Sequence, residues 1–354
     1  MDKIKVFTFD NAKELVKKDR AIEFSEVECI RFSSGEGKTI IKDMTDDEKI
    51  YLLVDVLNSS NYYEFKGKRY YITPDENFQD IKRAISSLNG RYSNITLVMP
   101  FLYESRQHRR RLGESMDCAI ALQELEFAGV NNIITFDAHD PNVSNSIPHL
   151  TFENLFITNL FIKKMIQDKV DLSNIIVVSP DIGAMHRARY FADLLGCDVG
   201  VFYKRRDLTK VVNGKNPIVE HMYIGPDVKN KDILVIDDMI ASGGSVFDVC
   251  SELNKKNVSN IFVAATFSLF TNGLDVFREE YKKKTFNKIY TSNLTHIDDV
   301  QKEDKWLSVL DCSDYIVEVI KNHSKNKLHI FIADQEKEII ELIRKYKGDL
   351  REKK

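Results

Sequence analysis

The chain, 354 residues long, lacks the features that mark membrane, secreted and disulfide-stabilised proteins. No apolar run approaches the ~20 residues that a membrane-spanning helix needs, and the first residues contain no signal-peptide core. The five cysteines are scattered and odd in number, without the paired spacing of a zinc site or a disulfide framework. These absences predict a cytoplasmic protein with reduced thiols and no membrane partner.

Strong charge of one sign is also missing. The net charge of −3 provides no general attraction to nucleic acid, so we expect no nucleic-acid partner. No G-x-G-x-x-G dinucleotide motif occurs. Gly37-Lys38-Thr39 is similar to the end of a P-loop, but Phe32 stands where that motif needs its first glycine. What remains is an ordinary globular composition, at a length that suits two domains.

Short β-rich runs alternate with helical patterns along most of the chain. Gly129 and Gly196 stand where helix C-caps would lie. This alternation predicts an α/β fold whose mainly parallel sheets are flanked by helices. The predicted strands are Lys5–Phe9, Ile95–Met99, Asn132–Phe136, Asn174–Ser179, Asp198–Phe202, Ile233–Ile236, Ile261–Thr266 and Lys288–Thr291. The predicted helices are Met116–Phe127, Gly183–Leu195, Ser245–Lys255 and Gln335–Tyr346.

The pattern also predicts how the chain divides into domains. A strand that ends at Asp137 is similar to one that ends at Asp237, which suggests two tandem α/β domains. We place the first domain at residues 1–155 and the second at 156–305. Residues 306–354 end in an amphipathic helix, and we expect this segment to return and pack on the first domain.

The most distinctive segment lies between residues 232 and 248. A fully apolar strand ends in two aspartates, and a Ser-Gly-Gly-Ser loop then leads into a helical pattern. Glycines let the backbone approach a phosphate, and the amides of the loop and helix start point at it. The acids repel phosphate and instead suit sugar hydroxyls or magnesium. The segment therefore predicts a sugar-phosphate site, the alternative being an ordinary connection with an acidic rim. Its residues are Asp237, Asp238, Ser242, Gly243, Gly244 and Ser245.

A basic turn and a cationic strand end suggest sites for further phosphates. Arg106 and Gln107 open a turn whose guanidinium and amide groups suit a polyphosphate and a base edge. Lys204 and Arg206 end a strand before a polar loop, and such cations could stabilise charge during phosphoryl transfer. The alternatives are a solvated basic loop and a surface charge run.

Two further polar residues follow predicted strands. His139 and Asp181 could hold a divalent metal ion. The alternatives are a structural histidine and an aspartate that caps a helix.

These segments, in this order, resemble the ribose-phosphate pyrophosphokinase family from Arg31 to about Asn293. The family's adenine-contacting motif is similar to Phe32, Ser34 and Glu36. Its ATP-binding Arg-Gln pair matches Arg106-Gln107, and its magnesium-associated histidine matches His139. Its Ser-Pro-Asp motif gives Asp181, and its catalytic Lys-x-Arg matches Lys204 with Arg206. Its ribose-phosphate loop matches Asp237 to Ser245.

The resemblance implies two tandem phosphoribosyltransferase-type domains with the active site in the cleft between them. It implies transfer of the β,γ-diphosphoryl group of Mg-ATP to the C1 hydroxyl of ribose 5-phosphate, giving phosphoribosyl diphosphate and AMP. Mg²⁺ would lie near His139 and Asp181. Family members usually form dimers or hexamers, so a homo-oligomer is expected, with Phe32 and Glu36 acting on a neighbouring copy.

The chain departs from the family pattern at three positions. Ser34 and Ala241 stand where the family usually has aspartate, and His108 replaces an aspartate after the Arg-Gln pair. Two alternatives to the synthetase therefore stay open. One is a catalytically silent, synthetase-like regulatory subunit. The other is a phosphoribosyltransferase, which would share the loop but would not need the Arg106-Gln107 cluster or a whole first domain.

Overall fold

The computed structural model describes residues 3–44, 49–88, 90–110, 112–206, 218–297 and 304–352, with the backbone alone at 204–206, 218–221 and 351. The chain divides into two compact units. The first contains residues 1–156, 293–296 and 311–331, and the second contains residues 157–292, 297–310 and 332–354. The segment predicted to return to the first domain, 306–354, is thus shared between both units. Within the described part of the chain, every helix is too short or too polar to span a membrane.

From residue 74 onward, strands and helices largely alternate, as the sequence predicts, whereas the described residues before that point form six strands with only a 3₁₀ turn among them. The strands are β1 (Ile4–Phe9), β2 (Ile22–Arg31), β3 (Gly37–Ile41), β4 (Lys49–Leu53), β5 (Tyr62–Phe65), β6 (Lys68–Tyr71), β7 (Asn94–Val98), β8 (Asn132–Phe136), β9 (Thr151–Leu155), β10 (Ile175–Ser179), β11 (Val199–Arg206), β12 (Ile218–Ile224), β13 (Asp232–Ile240), β14 (Asn260–Ser268), β15 (Lys288–Ser292) and β16 (Leu307–Leu310). The helices are α1 (Pro74–Ser87), α2 (Asp117–Phe127), α3 (Thr158–Gln167), α4 (Met185–Leu195), α5 (Gly244–Asn254), α6 (Asp275–Lys282), α7 (Ser313–Ser324) and α8 (Leu328–Glu352), with 3₁₀ turns at Asp10–Leu15 and Pro141–Ser146.

Each unit is built on a seven-stranded sheet. The first sheet has the order β3-β2-β1-β4-β7-β8-β9, and the second has the order β12-β11-β10-β13-β14-β15-β16. Neighbouring strands are parallel except for the edge pairs β2 with β3 and β11 with β12. The central strands are almost continuously Ile, Leu and Val and are buried, as expected for parallel strands covered on both faces. The predicted fold class is confirmed.

The two sheets share one topology, because each runs third, second, first, fourth, fifth, sixth, seventh in its own chain order. The order in which successive strands are added to the sheet reverses between the first and fourth strands, which are β1 and β4 in the first unit and β10 and β13 in the second. In such sheets, ligands bind at the carboxyl ends of the strands at this switch point.

One detail of the sequence interpretation is wrong. The strand predicted to stop at Ile236 continues to Ile240, so Asp237 and Asp238 lie on β13 and not after it. Asp137 follows the sixth strand of its sheet, whereas Asp237 lies on the fourth strand of the other. The similar strand endings are therefore not equivalent positions. In the first unit, the stretch Val54-Asp55-Val56 directly follows the fourth strand, β4.

Candidate functional site

The Ser242–Ser245 segment, which we call the phosphate loop, places an open helix start at the switch point of the second unit. Gly243 precedes α5 with φ +86°, in the left-handed region that favours glycine. A side chain there would also meet the rings of Phe277 and Phe247, at 2.6 and 2.7 Å from the added carbon. Gly244 begins α5, and a carbon added to it meets no atom closer than Ser242 Oγ, at 3.9 Å. Gly243 is therefore fixed by the fold, whereas Gly244 leaves space beside the free amides of the first turn.

An aromatic cluster supports this loop from the core. Phe277 contacts Phe247 and Phe270 edge to face, with ring centroids 4.9 Å apart in each pair. Trp306 lies parallel to Phe277 at 5.7 Å and is 2% exposed. The phosphate loop thus lies on a rigid, close-packed base that limits its movement.

Acidic residues from neighbouring strands converge beside the loop. Asp181 follows β10, and Asp237 and Asp238 lie on β13, which pairs with β10. Asp238 is 2% exposed, and its Oδ1 lies 3.8 Å from Nη1 of the equally buried Arg187. Burial, and then the Asp238 carboxylate, raise the pKa of Asp237 well above its usual range, against a smaller lowering by Arg187. Asp181 raises it further. The three carboxylates are therefore close enough to act electrostatically on one ligand.

Asp181 also stabilises the backbone before α4. Its Oδ1 accepts a hydrogen bond from Ala184 N at 3.1 Å, and its own carbonyl accepts one from Ser179 Oγ at 2.6 Å. One oxygen of this exposed carboxylate therefore makes the kind of backbone hydrogen bond that the helix-capping alternative predicts. The predicted role in metal binding stays a prediction.

The raised pKa of Asp237 gives a stability prediction. Asp237→Asn should raise the free energy of unfolding at pH 7, because the folded protein disfavours the charged form of this side chain. The advantage should grow as pH rises through the folded-state pKa, and vanish below the unfolded value near 3.8, where the carboxyl is neutral in both states. Melting temperatures of both proteins between pH 4 and 8 test this. Asp248→Asn, on the exposed face of α5, is the control. A less stable Asp237→Asn protein at pH 7 would contradict it.

In the first unit, the residues predicted to bind a polyphosphate and a base edge lie on a tight turn after β7. Arg106 and Gln107 are both exposed, and Gln107 N donates to Glu104 O at 2.8 Å across the turn. Glu104 itself has φ +53°, a strained conformation for a residue with a side chain. The turn therefore presents both side chains to solvent on a defined backbone.

His139 lies beside this turn. Its ring centroid is 5.3 Å from that of His108, whose Nε2 lies 3.4 Å from Asp140 Oδ2. Arg109 Nη2 donates to the same oxygen at 3.1 Å. Burial lowers the pKa of His108 more than Asp140 raises it, which favours a neutral imidazole. Asp137, at the end of β8, has φ +44°. Strained backbone of this kind occurs often at functional sites.

The predicted adenine-contacting residues occupy the turn between β2 and β3. Phe32 N donates to Glu36 O at 2.8 Å and closes the turn, while Ser34 Oγ donates to Glu36 Oε2 at 2.7 Å. The Phe32 ring is 50% exposed. The turn therefore offers an apolar ring and a carboxylate together at the tip of a hairpin.

No group of three or more His, Cys, Asp or Glu side chains within the described ranges is arranged to hold a metal ion. His139 belongs to the first unit and Asp181 to the second. Magnesium commonly binds through one or two carboxylates, water and substrate phosphates. The Asp181 carboxylate fits that mode, whereas an imidazole nitrogen is a poorer ligand for this ion.

The predicted catalytic cations lie at the end of β11. The backbone of Lys204 pairs with that of His221 on the antiparallel strand β12. The side chains of Lys204 and Arg206, and the loop at 207–217, lie outside the described residues. Their roles stay predictions.

The sequence interpretation missed Arg187 as a site residue. Arg187 lies on the apolar face of α4, where Ala184, Ala188 and Phe191 recur at helical spacing. An arginine on such a face indicates a buried cation that needs a carboxylate partner. Here that partner is Asp238.

Comparison with known proteins gives matches along most of the chain. Residues 4–129 match the family model described as the N-terminal domain of ribose phosphate pyrophosphokinase, and residues 154–300 match the phosphoribosyl transferase domain. The chain is 26% identical to the ribose-phosphate pyrophosphokinase of Wolinella succinogenes, over 92% of this chain and 99% of that protein. It is 26% identical to the enzyme of the same name from Mycoplasma genitalium, over 81% and 82% of the two chains. The crystal structure of phosphoribosylpyrophosphate synthetase from Mycobacterium smegmatis has the same fold, with a TM-score of 0.71 at 18% identity, covering 92% of this chain and 100% of that one.

Proposed function

Because the chain belongs to the ribose-phosphate pyrophosphokinase family and is an enzyme of phosphoribosyl diphosphate synthesis, we propose that it uses Mg-ATP and ribose 5-phosphate. The C1 hydroxyl oxygen of ribose 5-phosphate attacks the β-phosphorus of ATP. The bond between that phosphorus and the oxygen bridging to the α-phosphorus breaks, and AMP leaves. The hydroxyl proton is released, and the product is phosphoribosyl diphosphate.

The ribose side of this proposal depends on one observation. The start of α5 is open, and it lies next to carboxylates at the switch point. The amides of the phosphate loop receive the 5-phosphate, whose charge the helix N-terminus favours. Asp237 accepts hydrogen bonds from the ribose hydroxyls. Asp238 is held by Arg187 in a buried pair, so it fixes the position of the neighbouring acid.

The first unit provides the nucleotide side. Arg106 binds the phosphates of ATP, and Gln107 meets an edge of the base, because both side chains project from a defined turn. The exposed ring of Phe32 stacks on the base and Glu36 accepts its amino group. Since both residues lie at a hairpin tip, they are suited to reach the site of a neighbouring copy, as in a homo-oligomer (dimer or hexamer).

Charge neutralisation is the main catalytic task in this reaction. Lys204 and Arg206 stabilise the negative charge that develops on the transferred group. Mg²⁺ supplies further neutralisation of the phosphate oxygens when it is bound with ATP, and Asp181 is the residue best suited to hold it, with His139 close to the nucleotide phosphates.

The direct test is AMP formation by the purified chain with magnesium. Product should require both ATP and ribose 5-phosphate, and omission of either should reduce it to background. Coupling AMP release to phosphoribosyl diphosphate detection separates transfer from simple ATP hydrolysis. Folded protein that binds both ligands but makes no AMP would instead support the regulatory-subunit alternative.

Ala241 gives a prediction about the ribose side. It lies between the acids and the phosphate loop, where the family usually has a carboxylate. If Asp237 suffices to hold the hydroxyls, Ala241→Asp should change ribose 5-phosphate affinity by only about 0.5–1.5 kcal/mol, the net worth of one hydrogen bond. Steady-state kinetics of both proteins measure this, with Ala241→Asn as the uncharged control. A gain in turnover of orders of magnitude would show that the natural chain is impaired.

A further inference from the structure

The first unit contains a cavity at its own switch point. The cavity has a volume of about 350 Å³ and is lined by Phe9 at the end of β1, by the next residues Asp10 and Asn11, and by residues 60–63 of the connection after β4. Since β1 and β4 are the first and fourth strands of this sheet, the cavity is the topological counterpart of the ribose-phosphate site in the second unit. The volume is sufficient for a small molecule.

The helix that follows the fourth strand differs between the two units. At α5 the N-cap is Gly243, with no side-chain hydrogen bond to the first turn. At α1 the Thr73 hydroxyl accepts from Glu76 N at 3.3 Å, and Glu76 Oε2 accepts from Thr73 N at 2.9 Å. This capping box satisfies the amides that a phosphate would need, Pro74 supplies no amide, and the Glu76 carboxylate repels anions. The first unit is therefore closed to phosphate at this point.

Each charged group of the cavity wall already has a partner of opposite charge, either in the wall or beside it. Arg31 donates to both oxygens of Asp80, at 3.0 and 2.7 Å, and the side chains of this pair are at most 5% exposed. The Asp10 carboxylate lies 2.7 Å from Lys13 Nζ. No lining cation is left for a phosphate group, so an uncharged ligand is favoured.

The remaining wall combines amides with aromatic rings. Asn61 Nδ2 donates to Asp10 Oδ2 at 3.2 Å, and Asn77 belongs to a buried network of asparagines. The Tyr63 ring stacks on Tyr70, with centroids 5.7 Å apart, and the Tyr62 ring is held by Arg69 at 4.6 Å. The rings are thus fixed by the β5–β6 hairpin before any ligand binds. Fixed rings suit a flat base, and amides with a carboxylate suit sugar hydroxyls.

We propose that this cavity is a second small-molecule site, separate from the catalytic one, which binds an uncharged nucleoside. The base lies against the tyrosine rings of the hairpin, and the ribose hydroxyls bond to the asparagine and aspartate side chains. Occupation of this site does not depend on the reaction proposed above.

Calorimetry on the full chain with adenosine as probe tests the proposal. The titration is performed with a saturating non-hydrolysable ATP analogue and repeated with the Phe32→Ala variant, so that the proposed ATP site is occupied in one case and lacks its base-stacking ring in the other. Adenosine should bind in both titrations, and AMP should bind at least about tenfold more weakly, because its phosphate finds no cation or free amide. Loss of adenosine binding in either titration would assign the binding to the ATP site and overturn the proposal.

Variants in the hairpin localise the binding. Tyr63→Ala should weaken adenosine binding about tenfold, the scale of one lost base–aromatic stack, while Tyr63→Phe should retain it. Phe127→Ala is the matched control, because Phe127 is an exposed aromatic residue of the same unit and does not line the cavity. Equal losses in Tyr63→Ala and Phe127→Ala, absence of adenosine binding, or equal affinity for AMP would each overturn the proposal. Circular dichroism of each variant ensures that a loss reflects the site and not unfolding.

Discussion

Lys204→Ala should lower the turnover number by about a hundredfold or more, which is the usual effect of removing one electrostatic stabiliser of a transition state. A cation that acts mainly in the transition state contributes little to ground-state binding, so ATP affinity should change little. Steady-state kinetics give the turnover number, and calorimetry with a non-hydrolysable ATP analogue gives the affinity.

Arg205→Ala is the matched control for this experiment. Arg205 lies between the two residues of the Lys-x-Arg motif, and because it is not one of the two predicted catalytic cations, its loss should leave turnover within about a few fold of the natural enzyme. Lys204→Ala protein with weak ATP binding and near-normal turnover would reassign Lys204 to substrate binding. Equal defects in both variants would indicate a general effect of charge at this strand end.

Gly244→Val should greatly weaken ribose 5-phosphate binding while leaving the protein folded. A carbon added at this position meets no protein atom closer than 3.9 Å, and valine has a better helix propensity than glycine. The added methyl groups would occupy the space beside the first-turn amides, where the 5-phosphate is proposed to bind. We expect affinity to fall by about a hundredfold, the equivalent of one or two lost charge-assisted hydrogen bonds.

Gly243 provides the contrasting substitution. Gly243→Ala forces a side chain into the left-handed region, at about 1–2 kcal/mol, and against the ring of Phe277. It should therefore lower the melting temperature, which Gly244→Val should not. Calorimetric titration with ribose 5-phosphate, and with an ATP analogue for the first unit, completes the comparison. Equal loss of both ligands from folded Gly244→Val protein would show that the two binding sites are not separate.

Much of the architecture could be predicted because it depends on local patterns. Apolar runs such as Asn132–Phe136 coincide with β8, and Gly196 ends α4 in the left-handed conformation expected of a C-cap. The turn and helix start at Ser242–Ser245 were predictable for the same reason, since glycines, acids and a helical pattern are contiguous in the sequence. Strands with less regular patterns were missed, among them β2, where partly exposed polar residues alternate irregularly with buried ones.

Long-range packing explains what the sequence did not reveal. Asp55 is 1% exposed and accepts hydrogen bonds from Thr295 Oγ1 at 3.0 Å and from His296 N at 2.8 Å. These contacts hold residues 293–296 in the first unit, although their neighbours in sequence belong to the second. No local pattern indicates such an exchange. The Arg187–Asp238 pair is equally non-local, since it depends on the packing of α4 against β13.

The aromatic base of the phosphate loop also gives the enzyme a built-in optical signal. Trp306 is the only tryptophan in the chain, and it stacks on Phe277, the residue that lies directly beneath Gly243. Its fluorescence therefore comes from a single environment in the second unit, shielded from solvent. A ligand that tightens or shifts the loop changes the packing around the indole and hence its emission. Ribose 5-phosphate could then be followed by stopped-flow mixing, without a label, in the natural sequence.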